Sequence, residues 1–143
     1  MIFKSVATLA LGVSLVIIVA NNVYELIQRF IPPVTMTLGL AENPVVERGG
    51  VIKLIYEYDH KRFCETTLIR FIVRVDTKEP EIVWRDRVPG GATPLGHQRV
   101  LNSMKLPPEI EPGKYEFRLF TSSNCGSAFF QSKADDIKFE VTK

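Results

Sequence analysis

The residues with the widest chemical scope in this chain are two cysteines and two histidines. His60 and Cys64 stand four positions apart, and His97 and Cys125 supply two further donors. Imidazoles and thiolates in this ratio suit tetrahedral zinc, and thiolates also suit Cu(I). The spacing lacks the close cysteine pair of most structural zinc sites. The four residues therefore stand as an alternative metal set, and no cofactor is expected. Other groupings are weaker. Asp59 and His60 with Ser122 and Ser123 hold the groups of a nucleophilic triad, but a triad is defined by geometry. Glu109 and Glu111 sit among prolines and read as a solvated acidic turn. Asp135 and Asp136 lack further oxygen donors for calcium. No nucleophile elbow, phosphate loop or HExxH helix occurs. These residues point to a non-enzymatic protein.

The 143 residues carry 18 Lys plus Arg against 16 Asp plus Glu, a net charge of +2. That is too little for a protein that holds duplex nucleic acid by neutralising phosphates, so no nucleic-acid partner is expected. A chain with only 2 Cys cannot be a disulfide-dense scaffold. The length accommodates one domain plus an anchor.

The anchor is read from the N-terminus. Residues 5–20 contain no charge and follow Lys4, the shape of a signal sequence. Cleavage after Ala20 would release a secreted binding module, but Ile18 is a poor small-residue partner for that cut. Apolar residues continue at helical spacing through Val23, Tyr24, Ile27, Phe30 and Ile31. Pro32-Pro33 ends the pattern. A helix from about Ile2 to Phe30 would be about 43 Å long at ~1.5 Å per residue, against about 30 Å of hydrocarbon. Residues 1–31 are thus expected to form a signal-anchor or transmembrane helix with lipid as its partner. Lys4, Glu25 and Arg29 set orientation only weakly. The expectation is a single-pass membrane protein with its domain on the extracytoplasmic side, periplasmic or extracellular.

From Val34 onward the period changes to two. Strands are expected at 34–40, 51–58, 66–75, 81–86, 97–106, 114–121 and 134–141. In the third, Ile69, Phe71, Val73 and Val75 are assigned inward, with Arg70 and Arg74 outward. In the sixth, Tyr115, Phe117 and Leu119 point inward. Seven short strands over residues 34–143, punctuated by turn residues, predict an all-β, antiparallel sandwich.

The stretch Leu106-Pro-Pro-Glu-Ile-Glu-Pro-Gly-Lys-Tyr-Glu-Phe-Arg-Leu119 resembles the turn into the sixth strand of immunoglobulin-like and fibronectin type III-like domains. The resemblance implies a seven-stranded Ig-like fold, with Tyr115 as the corner tyrosine that bonds upstream backbone. It implies no activity. Cys64 and Cys125 follow their strands instead of sitting inside them, and Trp84 is not on the third strand, so the antibody subfamily is not implied. In this topology the loops holding Cys64 and Cys125 share one pole, which implies a disulfide in an exported domain. The first strand starts at that pole, so it would face the membrane. Outward positions Arg70, Ile72, Arg74, Arg118 and Phe120 would share one sheet face of hot-spot residue types. The function expected is protein–protein contact in an envelope or virion assembly, with a protein partner or a homo-oligomer. A redox or metal-handling role for Cys64 and Cys125 is the alternative.

Overall fold

A computed structural model describes residues 2–126 and 128–143, with side chains inside the helix described from residue 12 onward. The chain divides into two compact units, Met1–Ile31 and Pro32–Lys143.

The first unit holds one helix, α1 (Ile2–Gln28). Arg29 and Phe30 donate to the carbonyls of Leu26 and Ile27 at 3.2 and 3.0 Å in a tightened last turn. The prolines that follow cannot extend it. Asn22 turns its amide onto the Ile18 carbonyl at 2.9 Å, which satisfies a donor on an otherwise apolar stretch. Large apolar side chains stand exposed along α1, Leu15 at 63% and Val16 at 68%. Among the described residues, no helix is long and apolar enough to cross a membrane. The uncharged stretch 5–20, on which the expected span rests, lies partly outside the described side chains.

Among the described residues the second unit contains nine strands: β1 (Val34–Ala41), β2 (Val45–Glu47), β3 (Val51–His60), β4 (Glu65–Arg74), β5 (Glu81–Pro89), β6 (Gly96–Lys105), β7 (Gly113–Cys125), β8 (Ala128–Lys133) and β9 (Ile137–Thr142). They form two sheets. One has the order β1-β3-β6; the other runs β2-β9-β7-β4-β5, with β8 pairing the free part of β7. The expected count of seven is corrected by β2 and β8. Three-residue β2 is too short for alternation to reveal, and it pairs with β9 in parallel, so the sandwich is not wholly antiparallel. β8 folds straight back from β7, with Ala128 opposite Cys125, through a turn where Gly126 has φ of 74°. That φ is readily adopted only by glycine.

The core lies between the sheets. Ile52, Leu54 and Tyr56 of β3 and Met104 of β6 meet Ile72, Phe117, Leu119, Phe139 and Val141 from the other sheet. Tyr115 stacks on Phe139 at 5.7 Å, and its hydroxyl donates to the Glu111 carbonyl at 2.7 Å. The corner expected at this tyrosine is present.

One assignment is reversed. In β4 the inward residues are Leu68, Arg70, Ile72 and Arg74, because Ile72 lies opposite Phe117 and Arg70 opposite Leu119 on β7. Directly opposed residues of an antiparallel pair share a face, and the phase of β7 is unambiguous: Tyr115, Phe117 and Leu119 are all buried. Ile69 and Phe71 therefore point outward, whereas Val73, next to the irregularity in the β4–β5 register, is buried at 2% exposure as expected. β5 carries one extra residue at Val83, so Val83 and Trp84 both pack against the core.

This register predicts unequal losses from two nearby truncations. Phe117→Ala should destabilise by about 3–5 kcal/mol. Phe120→Ala, on the outer face, should cost less than half as much in chemical denaturation. Equal losses would mean that the register is wrong.

Candidate functional site

Cys64 and Cys125 are disulfide-bonded across 61 positions. The bridge joins the chain just before β4 to the end of β7. It consumes both sulfurs, so the alternative metal set His60, Cys64, His97 and Cys125 is overturned, and no metal-binding cluster occurs among the described residues. The two histidines are engaged separately. His60 is buried, with Nδ1 3.0 Å from the Pro94 carbonyl and 3.1 Å from Thr93 Oγ1. A carbonyl only accepts, so the ring proton sits on Nδ1. His97 is exposed beside Asp59, 3.0 Å away. Ser123 hydrogen-bonds Thr66 at 2.9 Å, not His60, so no triad assembles from Asp59, His60 and the serines. Asp136 is taken up by Lys133 at 2.9 Å.

At this same end of the sandwich the sheets part around a cavity of about 540 Å³. Met36, Tyr56, Tyr58, Val100 and Asn102 line it from the smaller sheet, and Leu68, Arg70, Leu119 and Thr121 from the larger. Phe63, Cys64 and the segment 89–93 complete its wall. That segment lies directly on β4. The Gly90 N–H donates to the Thr66 carbonyl at 2.7 Å, and a Cβ on Gly90 would stand 2.9 Å from the same oxygen. Only glycine fits such an approach.

Two residues of this lining each carry a polar atom, shut off from the cavity, that has no hydrogen-bond partner among the described residues. Tyr56 is 6% exposed, and its Oη and the Nε of Arg70 are both buried without a hydrogen bond. Burial pushes the Tyr56 phenol above its ordinary pKa, with the Arg70 charge opposing the shift. The phenol is neutral at physiological pH and able to donate. The terminal nitrogen of Arg70 is bound by the Asp86 carboxylate, and its guanidinium lies over the Trp84 ring at 5.6 Å.

The expected binding face does not exist as a single surface. Arg70 points into the cavity, Ile72 is fully buried, and Arg74 lies at the rim of the opposite end. Arg74 Nε bonds Asp76 at 2.7 Å, and its Nη1 lies 3.3 Å from Glu111. The Arg74 hydrogen bond holds the Asp76 carboxyl below its ordinary pKa, helped by the Lys114 N–H. Only Arg118 and Phe120 of the five face outward. A different outer face is found there. Phe71 and Phe120 meet edge to face at 5.7 Å, with Arg85 over Phe71 at 5.6 Å and Lys133 over Phe120 at 5.8 Å. Arg118 is neutralised by Glu116 at 2.7 Å. Among the described residues no carboxylate pairs with Arg85 or Arg87. Strand register was the missing signal: once Ile72 is placed opposite Phe117, Phe71, Arg85 and Arg87 follow outward.

No protein-family model matches the chain, and no curated protein sequence matches it. Among solved structures it is similar to the C-terminal domain of Wzt, at 12% identity and a TM-score of 0.57, over 79% of this chain and 75% of that one. It is also similar to Spo0M, a sporulation control protein from Bacillus subtilis, at 13% identity and a TM-score of 0.47, over 79% of this chain and 51% of that one. The chain thus spans about half of the Spo0M chain. The Wzt likeness shows a shared β-sandwich fold.

Two outcomes follow for these groups. Replacing both cysteines by serine should cost up to about 4 kcal/mol, the loop-closure value for a bridge of this span, read as a lower denaturation midpoint. Arg74→Met should raise the Asp76 titration, followed by carboxyl NMR, toward ordinary values. The native pKa is depressed, so the Asp76 contribution to stability is complete above the unfolded pKa near 3.8 and fades as pH falls through the lower folded value. An unchanged titration in the variant would remove Arg74 as the cause.

Proposed function

We propose that this chain is an immunoglobulin-like contact module, held to a membrane by its N-terminal helix, with the sandwich on the extracytoplasmic side. It binds another protein of an envelope or virion assembly and performs no reaction. The observation that carries the reading is the Cys64–Cys125 bridge. Structural disulfides belong to oxidising compartments, and the uncharged stretch after Lys4 is the export signal that fits one.

Other features support it. The orders β1-β3-β6 and β9-β7-β4-β5 follow the way immunoglobulin-like sandwiches divide their strands between two sheets, and Tyr115 makes the corner bond of that superfamily. A helix with apolar side chains exposed around it needs a cover, and lipid supplies one. The contact surface is the outer face of the larger sheet. Phe71 and Phe120 form its apolar centre, with Arg85 and Arg87 beside them. Aromatic and arginine side chains dominate binding hot spots. Two arginines without carboxylate partners call for acidic residues on the other protein.

Alkaline phosphatase fused after Lys143 should be active, and a reporter that works only in the cytoplasm should be silent at the same position. The reverse pattern overturns the orientation. A photo-crosslinking residue at position 87 of the full chain should give one discrete partner band in cells, lost in Arg85→Glu with Phe71→Ala. The same residue at position 53, on the opposite sheet, should give none. Equal bands at 53 and 87 would refute the contact face.

A further inference from the structure

The smaller sheet stops one strand short of the larger sheet on one side. Tyr56 of β3 meets Phe117 of β7 with ring centroids 6.4 Å apart, so β3 lies over β7. β6 is the next strand out from β3, and β4 the next from β7. β6 therefore lies over β4, and β5 extends one strand further with no strand of the smaller sheet above it. Exposure agrees with this offset. Trp84, Asp86 and Val88 lie on the inward face of β5, opposite Ile72, Arg70 and Leu68, yet each is only half-buried. Val100 lies opposite the inward Tyr56 and is still 37% exposed. A space one strand wide is open beside β6 and over β5.

The backbone of β6 is ready for a neighbour. The Leu106 N–H donates to the Gly50 carbonyl at 2.8 Å, one step beyond the Val51–Lys105 pair. Hydrogen-bonded pairs alternate along an antiparallel ladder, so the even-numbered residues of β6 turn their backbone groups to β3. Those of His97, Arg99, Leu101, Ser103 and Lys105 point to the open side, where no strand pairs with them. Natural sheets usually blunt such edges. Here β1 and β5 carry register irregularities, and β2 and β8 are three and six residues long. β6 pairs with β3 over ten residues without a break. Its charges do not guard it. His97 is drawn back to Asp59 at 3.0 Å and Arg99 to Glu57 at 3.6 Å.

The space decides the occupant. Two copies of the sandwich cannot join β6 to β6, because strands in a sheet stand about 4.8 Å apart. Each β5 would then have to fill the place of the other. A single extended segment fits. The floor offers it Trp84 and Val88, while Asp86 is already neutralised by Arg70. On the outward side, Lys105 has no carboxylate partner among the described residues, which favours an acidic residue there.

We propose that the β6 edge is the docking site for one extended segment of another protein, a tail or loop. It adds antiparallel to β6 by main-chain hydrogen bonds, lays alternate apolar side chains on Trp84 and Val88, and turns acidic ones outward. This site is distinct from the outer face of the larger sheet and does not depend on the membrane reading.

The test uses the full chain in detergent micelles and a fluorescein-labelled peptide, Thr-Val-Glu-Val-Glu-Ile-Thr-Val, capped at its C-terminus as the amide. Fluorescence anisotropy should show saturable binding. Opposed residues of an antiparallel pair share a face, so the amides that bond β6 are those of the outward Thr and Glu residues. N-methylation of the two Glu amides should weaken binding about tenfold or more, the scale of two lost hydrogen bonds. N-methylation of the central Val and Ile amides should leave it close to the parent. The two isomers have the same composition, so micelle partitioning affects both alike. Leu101→Pro removes an edge N–H that makes no bond to β3, a position where proline is tolerated, and should weaken the parent peptide several-fold. If that variant fails to fold, the isomer pair on the native chain carries the test. With p-benzoylphenylalanine in place of Ile, irradiation should attach the peptide within residues 82–88 or 98–104. Absence of saturable binding, or equal binding by both isomers, would overturn strand addition. A greater loss in the Val and Ile isomer would overturn the antiparallel direction. Adducts on β1 or on the outer face of the larger sheet would overturn the site.

Discussion

The pairing of β4 with β7 is the constraint from which the rest of the sandwich follows. Ile72 opposite Phe117 puts two fully buried side chains at the centre of the larger sheet. Because side chains alternate with period two, that single pairing decides the direction of every other residue in β4. It turns Arg70 and Arg74 toward the inside, and Phe71 toward the outside. A slip by one residue would exchange the two sets, turning Arg70 away from the cavity and breaking the outer aromatic pair.

Two inward arginines are costly unless each has partners, and each does. Arg74 lies at the rim, where Asp76 and Glu111 reach it. Arg70 lies deeper, with Asp86 on the neighbouring strand opposite it. Asp86 is there because the extra residue at Val83 comes before it, nearer the far end of β5, and leaves the Arg70–Asp86 register intact. The ion pair solves the charge and leaves the Nε of Arg70 over. The same register places Arg85 outward against Phe71. One strand pairing thus supplies both candidate surfaces.

Most of the architecture was legible in the sequence. Seven strands overlap the segments where alternation is strong, and Tyr115 bonds as the Pro-Gly-Lys-Tyr turn implies. The disulfide followed from the implied topology. The phase of β4 was not legible, because Ile69, Phe71, Val73 and Val75 form a better apolar series than Leu68, Arg70, Ile72 and Arg74. Counting apolar residues gave the wrong face, since the packing of β7 overrides a local preference worth far less. β7 also runs past Thr121, where the apolar series stops. Thr121 and Ser123 remain on the buried side because Ser132 and Thr66 satisfy their hydroxyls. β2 and β8 leave no periodic trace at their length.

The inner row of β7 shows how the two ends of the sandwich differ. From Tyr115 through Leu119 it is apolar and meets the densest packing, with Phe139, Ile137 and Val141 alongside. From Thr121 to Ser123 it is polar, and there the sheets separate around the cavity. Apolar burial falls just where the hollow opens, so packing contributes less to holding that end together. The Cys64–Cys125 bridge stands at the same end and closes it covalently. A cross-link that acts chiefly on the unfolded chain does not need to fill the space it spans. The fold can therefore keep a cavity at one end, while the other end and the bridge supply the stability that the cavity does not.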